Sequence, residues 1–210
     1  MTPSPPPLGI KTKESIPVGK LVALAVALAG AVAMPACTFN IQPTVPSVPP
    51  RHEGSGPLAC KAILLLPQEF VSREYVSSFE SREIRIAVGA PTVEAVYALA
   101  ASRFASVQKV PVSGDGTLDF VRLSTAAHSD TELVLRPRFL RLDSSVRPFR
   151  YNIEIGVSVD VAGLKAPVTS SGQGTGSAGL YVQSEIQKAA DEALAETITS
   201  LAATFPVSCQ

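Results

Sequence analysis

Between Tyr151 and Val161 the chain reads YNIEIGVSVDV, in which Tyr151, Ile153, Ile155, Val157, Val159 and Val161 alternate with Asn152, Glu154, Gly156, Ser158 and Asp160. Successive side chains of a strand point to opposite faces, so this alternation predicts an extended segment with one face buried and one wet. Such a strand is not stable alone. It needs partners on its edges and a second apolar layer over its buried face. Glu132 to Leu142 (ELVLRPRFLRL) supplies an antiparallel partner through a hairpin with its tip at Ser144 to Phe149. Asp160-Val161-Ala162-Gly163 then turns the chain into a further antiparallel strand at Ala166 to Ser171.

Two helices are expected to cover this sheet. Gly89-Ala90-Pro91 ends a strand that points Ile84, Ile86 and Val88 one way, and Pro91 suits the first turn of a helix with Val93, Val96, Tyr97, Ala100 and Phe104 on one stripe. Ser184-Glu185-Ile186-Gln187 reads as a capping box, followed by Ile186, Ala190, Ala193, Leu194, Ile198, Leu201 and Phe205 on one face and by the stop at Pro206. Ala62 to Leu66 before Pro67 is a buried strand, and Val107, Val110 and Val112 mark another. Strand, helix, strand in that order predicts a right-handed parallel crossover, before the chain turns at Ser113 to Gly116. Phe70, Val71, Tyr75, Val76 and Phe79 fit a helix or an irregular loop equally, and no element is assigned between Gly116 and Glu132. The expected class is α+β: a mixed, mainly antiparallel sheet of about six strands with two long helices packed on one face.

Ahead of this domain, Lys11, Lys13 and Lys20 precede the apolar run Leu21 to Ala33 (LVALAVALAGAVA), which Met34-Pro35-Ala36-Cys37 stops. A membrane-spanning helix needs about 20 apolar residues, so the run reads as the core of a signal peptide over residues 1–36. Small residues before a cysteine here resemble the lipobox of bacterial lipoproteins, although Met34 and Pro35 depart from its aliphatic-then-small pattern. The resemblance implies a lipid on Cys37, which becomes the first mature residue. Thr38 in place of an aspartate implies the periplasmic face of the outer membrane. Ordinary cleavage after Ala33 or Ala36, leaving a soluble periplasmic protein, is the alternative.

Residues 37–57 are then expected to be the lipidated cysteine and a tether. Prolines at 43, 46, 49, 50 and 57 with scattered apolar residues predict a polyproline-like segment of about 3.1 Å per residue, on the order of 60 Å if extended. Residues 58–210 form one α+β domain. If lipid takes Cys37, Cys60 and Cys209 remain, and in an exported protein they would pair. Such a bridge closes nearly the whole domain into one loop, worth roughly 4 to 5 kcal/mol in the chain-entropy model. Two unpaired thiols are the alternative.

Charge excludes a nucleic-acid partner. Three of the 18 basic residues and one of the 18 acidic residues go with the signal, which leaves a net charge of −2. Gly174-Thr175-Gly176-Ser177-Ala178-Gly179 spells a dinucleotide-binding G-x-G-x-x-G, but that motif requires a parallel strand before it and a helix at its last glycine. Here the strand continues an antiparallel meander and the helix cap at Ser184 comes five residues late. The segment is expected to be mobile or a strand edge, to hold no ligand, and to let a neighbouring subunit or partner approach closely. No metal site is expected, because His52 lies in the tether and His128 stands alone in a polar loop; no catalytic residue and no cofactor are expected either. Arg136, Arg138, Arg141, Arg147 and Arg150 gather around the hairpin as a local basic patch. Guanidinium groups fork onto carboxylates and phosphates, so the patch suits an acidic partner, lipid head groups or an anionic polysaccharide. The alternative is a solvated face with cross-strand partners such as Glu154.

Lipobox-like signal, proline tether and terminal helix together resemble small envelope lipoproteins of Gram-negative bacteria. In particular Asp160-x-x-Gly163, the return strand, Ser171-Gly172-x-Gly174 and an alanine-rich last helix are similar to those that accompany exopolysaccharide export, penicillin-binding-protein activation and transporters. The resemblance implies a non-catalytic scaffold or accessory subunit that binds envelope proteins, with self-association as a further mode. A lipid or glycan carrier is the second expectation, and it requires a concave apolar pocket between sheet and helices.

Overall fold

In the computed structural model, residues 38–49, 57–79, 82–127, 132–147, 150–177 and 182–205 are described, all within the unit Cys37–Gln210. Their strands are β1 (Thr38–Ile41), β2 (Leu58–Pro67), β3 (Glu74–Phe79), β4 (Arg82–Ala87), β5 (Phe104–Val112), β6 (Glu132–Arg147), β7 (Arg150–Val161) and β8 (Val168–Ser177). Their helices are α1 (Gln68–Val71), α2 (Gly89–Arg103), α3 (Thr117–Ala126) and α4 (Val182–Thr204).

The class is α+β, with two sheets where one was expected. Five strands run in the order β5-β2-β6-β7-β8, and three more in the order β1-β4-β3. Parallel pairing is as frequent as antiparallel: β2 pairs parallel with both β5 and β6, and β1 with β4. A strand flanked on both edges by parallel neighbours is covered on both faces, which is why β2 carries a continuous apolar run. Antiparallel pairing is confined to β3 with β4, β6 with β7 and β7 with β8.

The alternation in β7 predicts its burial: Ile155, Val157 and Val159 are wholly buried, and Tyr151, Ile153 and Val161 nearly so. The opposite face is drier than expected, for Gly156 and Ser158 are buried too. A bulge between Phe139 and Arg141 brings the β6 backbone and the Leu140 side chain over Gly156. One core cluster joins the buried residues of β7 to Ala62 and Leu64 of β2, Ile84 and Ile86 of β4, Val96 and Leu99 of α2, and the Ile186, Ala190, Leu194, Ile198, Leu201 and Phe205 stripe of the last helix.

Several expectations need correction. The helix after β4 begins at Gly89, and the strand before it belongs to the smaller sheet, so the parallel partner of β5 is β2. Residues 74–79 are a strand, and the unassigned stretch holds α3, which buries none of its residues. Ser184 lies inside α4, and the Gln187 amide donates to the Gln42 carbonyl and to Asp191. β6 runs on to Arg147, through residues expected to form the hairpin tip, and β7 begins at Arg150. The tether is corrected most sharply. Ile41 is 1% exposed, Pro43 is buried, Val48 packs against the core, and Thr44 N–H donates to Asp191 at 2.7 Å. Residues 38–48 are part of the fold.

Candidate functional site

The glycines that spell the nucleotide motif lie in β8, with Gly172, Gly174 and Gly176 buried and Gln173, Thr175 and Ser177 exposed. A side chain at any of the three buried positions would overlap the backbone of α4: Gly176 meets Glu185, Gly174 meets Ala189, and Gly172 meets Ala193 and Thr197. The spacing has a geometric cause. Two strand residues advance about 6.8 Å and four helix residues about 6 Å, so every second strand residue meets one turn of the helix. Gly on the strand and Ala on the helix bring the two backbones together, and the small residues admit this chain's own helix.

β8 is an edge of the five-stranded sheet, as the sequence allowed. Three of its outward N–H groups are answered by α4. Gln173 N–H donates to Glu196 at 2.6 Å, Thr175 N–H to Glu192 at 3.3 Å, and Ser177 N–H to Glu185 at 2.9 Å. The Ser177 backbone N–H and hydroxyl bonds hold the Glu185 carboxyl below its ordinary value, opposed by slight desolvation and helped by Lys188. Inside the seam Thr197 Oγ1 donates to the Ile155 carbonyl at 2.8 Å, tying α4 to β7. Sequence reading missed this ladder, although glycine at period two opposite small or acidic residues at period four was its signal.

The five arginines divide into two groups. Arg136, only 11% exposed, donates to Asp160 through Nε at 2.9 Å and Nη2 at 2.5 Å, bonds Thr117, and lies over the Phe120 ring at 5.3 Å. Arg138 shares Asp160 at 3.6 Å, and Arg141 reaches Asp143 at 3.2 Å and Glu154 at 3.4 Å. These three follow the solvated-face alternative, and Arg136 fastens α3 to β6. Arg147 and Arg150 sit opposite each other at the end of the hairpin, both exposed, with no ion pair among the described residues. Cys60 is buried and is not a free thiol; Cys37, Cys209, His52 and His128 lie outside the described residues.

The cavities bear on the carrier expectation, which requires a concave apolar pocket between sheet and helices. The apolar space between the sheets, lined among others by Ile84, Ile86, Val146, Tyr151 and Ile153, measures about 10 Å³. Larger depressions of about 340 and 550 Å³ are open and mainly polar, on the β6, β7 and β8 surface, and none of their lining residues is aromatic. Among the described residues no cluster of three or more His, Cys, Asp or Glu could hold a metal, and no helix is long and apolar enough to cross a membrane. No family model and no curated protein matches the chain.

Proposed function

We propose that the protein is a lipid-anchored accessory or scaffold lipoprotein on the periplasmic side of the outer membrane, which binds other envelope proteins through its α+β domain and performs no chemistry. Lipid on Cys37 and a bridge between Cys60 and Cys209 belong to this reading. The observation that carries it is the contrast between the two edges of the larger sheet. Carboxylates of α4 occupy the outer N–H groups of Gln173, Thr175 and Ser177 on β8, whereas β5 has no described strand beyond it and exposes Ala105, Ser106, Gln108 and Pro111. Lys109 is drawn back to Glu94 at 2.8 Å and over the Tyr97 ring, so its charge does not cover the strand's first half. An open edge offers main-chain hydrogen bonds to an extended segment of a partner. A carrier is disfavoured because a ligand pocket needs about 300 Å³ or more, far above the 10 Å³ found between the layers.

Crosslinking and pull-down from membranes, with the wild type and Cys37→Ala, test both halves. The wild type should recover a protein partner crosslinked through position 108, and Cys37→Ala should leave the outer-membrane fraction. Recovery of no protein contradicts the scaffold. Retention of Cys37→Ala in that fraction contradicts the anchor.

A further inference from the structure

The packing of residues 38–48 into the fold changes what a lipid on Cys37 would do. β1 starts at Thr38, and adjacent Cα atoms are about 3.8 Å apart, so an acyl group on Cys37 would hold one particular end of the domain at the bilayer. The strand registers identify that end. Thr38 pairs with Glu83, which pairs with Ser78; one residue further into the sheet, Phe39, Ile84 and Ser77 lie side by side. β3 also lies along the end of the β6 and β7 hairpin. The Tyr75 hydroxyl is 3.0 Å from Ser144 Oγ and accepts from Ser144 N–H at 3.2 Å, and Ser77, Ile84, Val146 and Tyr151 line the same small pocket. β3 and β6 run in one direction through these contacts. The next positions out, Thr38 and Arg82 on one sheet and Arg147 and Arg150 on the other, therefore emerge together.

Their chemistry matches a phospholipid surface. Arg82, Arg147 and Arg150 are exposed and none has an acidic partner among the described residues, while Val146 beside them is 42% exposed. The other arginines of the hairpin are neutralised by Asp160, Asp143 and Glu154, so the unpaired positive charge of this region concentrates next to the anchor. We propose that this end of the fold docks flat on the anionic phospholipid bilayer that holds the Cys37 lipid, with the three guanidinium groups on head-group phosphates and Val146 toward the acyl boundary. The proposal rests on the lipid anchor inferred above. It goes beyond it by fixing which side of the domain faces the membrane and which side faces the periplasm. Leu118, next to Thr117, which bonds Arg136, lies roughly 35 Å away along β6 and would point into the periplasm.

The test uses the full-length protein, purified in its acylated form and reconstituted into vesicles of phosphatidylethanolamine and phosphatidylglycerol. A benzophenone amino acid replaces either Val146 or Leu118. Lipid adducts should form at position 146 at least fivefold more than at 118, and Arg82→Glu, Arg147→Glu and Arg150→Glu together should lower the yield at 146 at least fivefold without releasing the protein. An arginine near an anionic surface is worth about a fivefold change in binding, so three reversals leave a wide margin. The same three positions changed to Lys should keep the adduct, which separates lost charge from lost fold. Equal yields at 146 and 118, a yield unmoved by the charge reversal, or adducts at 146 to a second protein in place of lipid would each overturn the docking. Intact mass measured before reconstitution separates the two ideas: with the acyl mass present, failure at position 146 sinks the docking alone, and without it the anchor fails and the docking with it.

Discussion

Gly174 has no side chain to place, because the Ala189 carbonyl stands where its Cβ would be. Gly114 has φ +58° and nothing near the same position. The two glycines thus predict different losses. Gly174→Ala should cost about 3 kcal/mol or prevent folding, since the helix must lift off the strand, and Gly114→Ala roughly 1 kcal/mol of left-handed backbone strain. Urea unfolding of both variants reads this directly; equal losses would mean that the seam is looser than described. Asp160→Asn leaves the 11%-exposed Arg136 guanidinium with only the more distant Asp115, at 3.9 Å, as an acidic partner and should cost about 2 kcal/mol, the partial exposure keeping it below a fully buried pair. Glu185 supplies a pH dependence. Its folded pKa lies below the ordinary 4.5, so its contribution is present above that value and is lost as pH falls through the folded pKa. The stability advantage of wild type over Glu185→Gln should therefore shrink in thermal melts as pH falls below 4.5, and a constant difference would remove Glu185 from the ladder.

Among elements, the strongest periods were the most legible. β7 and the buried stripe of α4 were readable because each repeats one pattern over many residues and buries that face completely. α3 left no readable sign because it buries no residue, so its apolar side chains mark no core face. β1 was hidden for a different reason. Its stability comes from parallel pairing with β4, more than forty positions along the chain, a contact that no local period reports, and the prolines after it suggested an extended tether. Ile41→Ala should cost about 3 kcal/mol, which a residue in a free tether would not, and the same unfolding assay decides it. The glycine motif was visible but pointed the wrong way until its period was set against that of the last helix. The arginine patch was visible too, and only the positions of Asp160 and Glu154 across the hairpin, and of Asp143 along β6, showed which arginines are already occupied.

At the scale of the whole molecule, the two sheets and the two long helices enclose one core with little free space, and the features left over are on the surface. Three N–H groups on one sheet edge are taken by the last helix, and the other edge has no strand beyond it among the described residues. Arg82, Arg147 and Arg150, which have no acidic partner among the described residues, lie at the end of the fold near Thr38. That arrangement suits a protein held close to a membrane while presenting an edge to partners, and all of it depends on where the mature chain begins. Intact-mass and N-terminal peptide analysis of the protein purified from membranes therefore tests the account most directly. The account predicts a mature chain that starts at Cys37 and carries a diacylglycerol-type lipid and an amide-linked acyl group; an unmodified Cys37, or a chain that starts elsewhere, would contradict it.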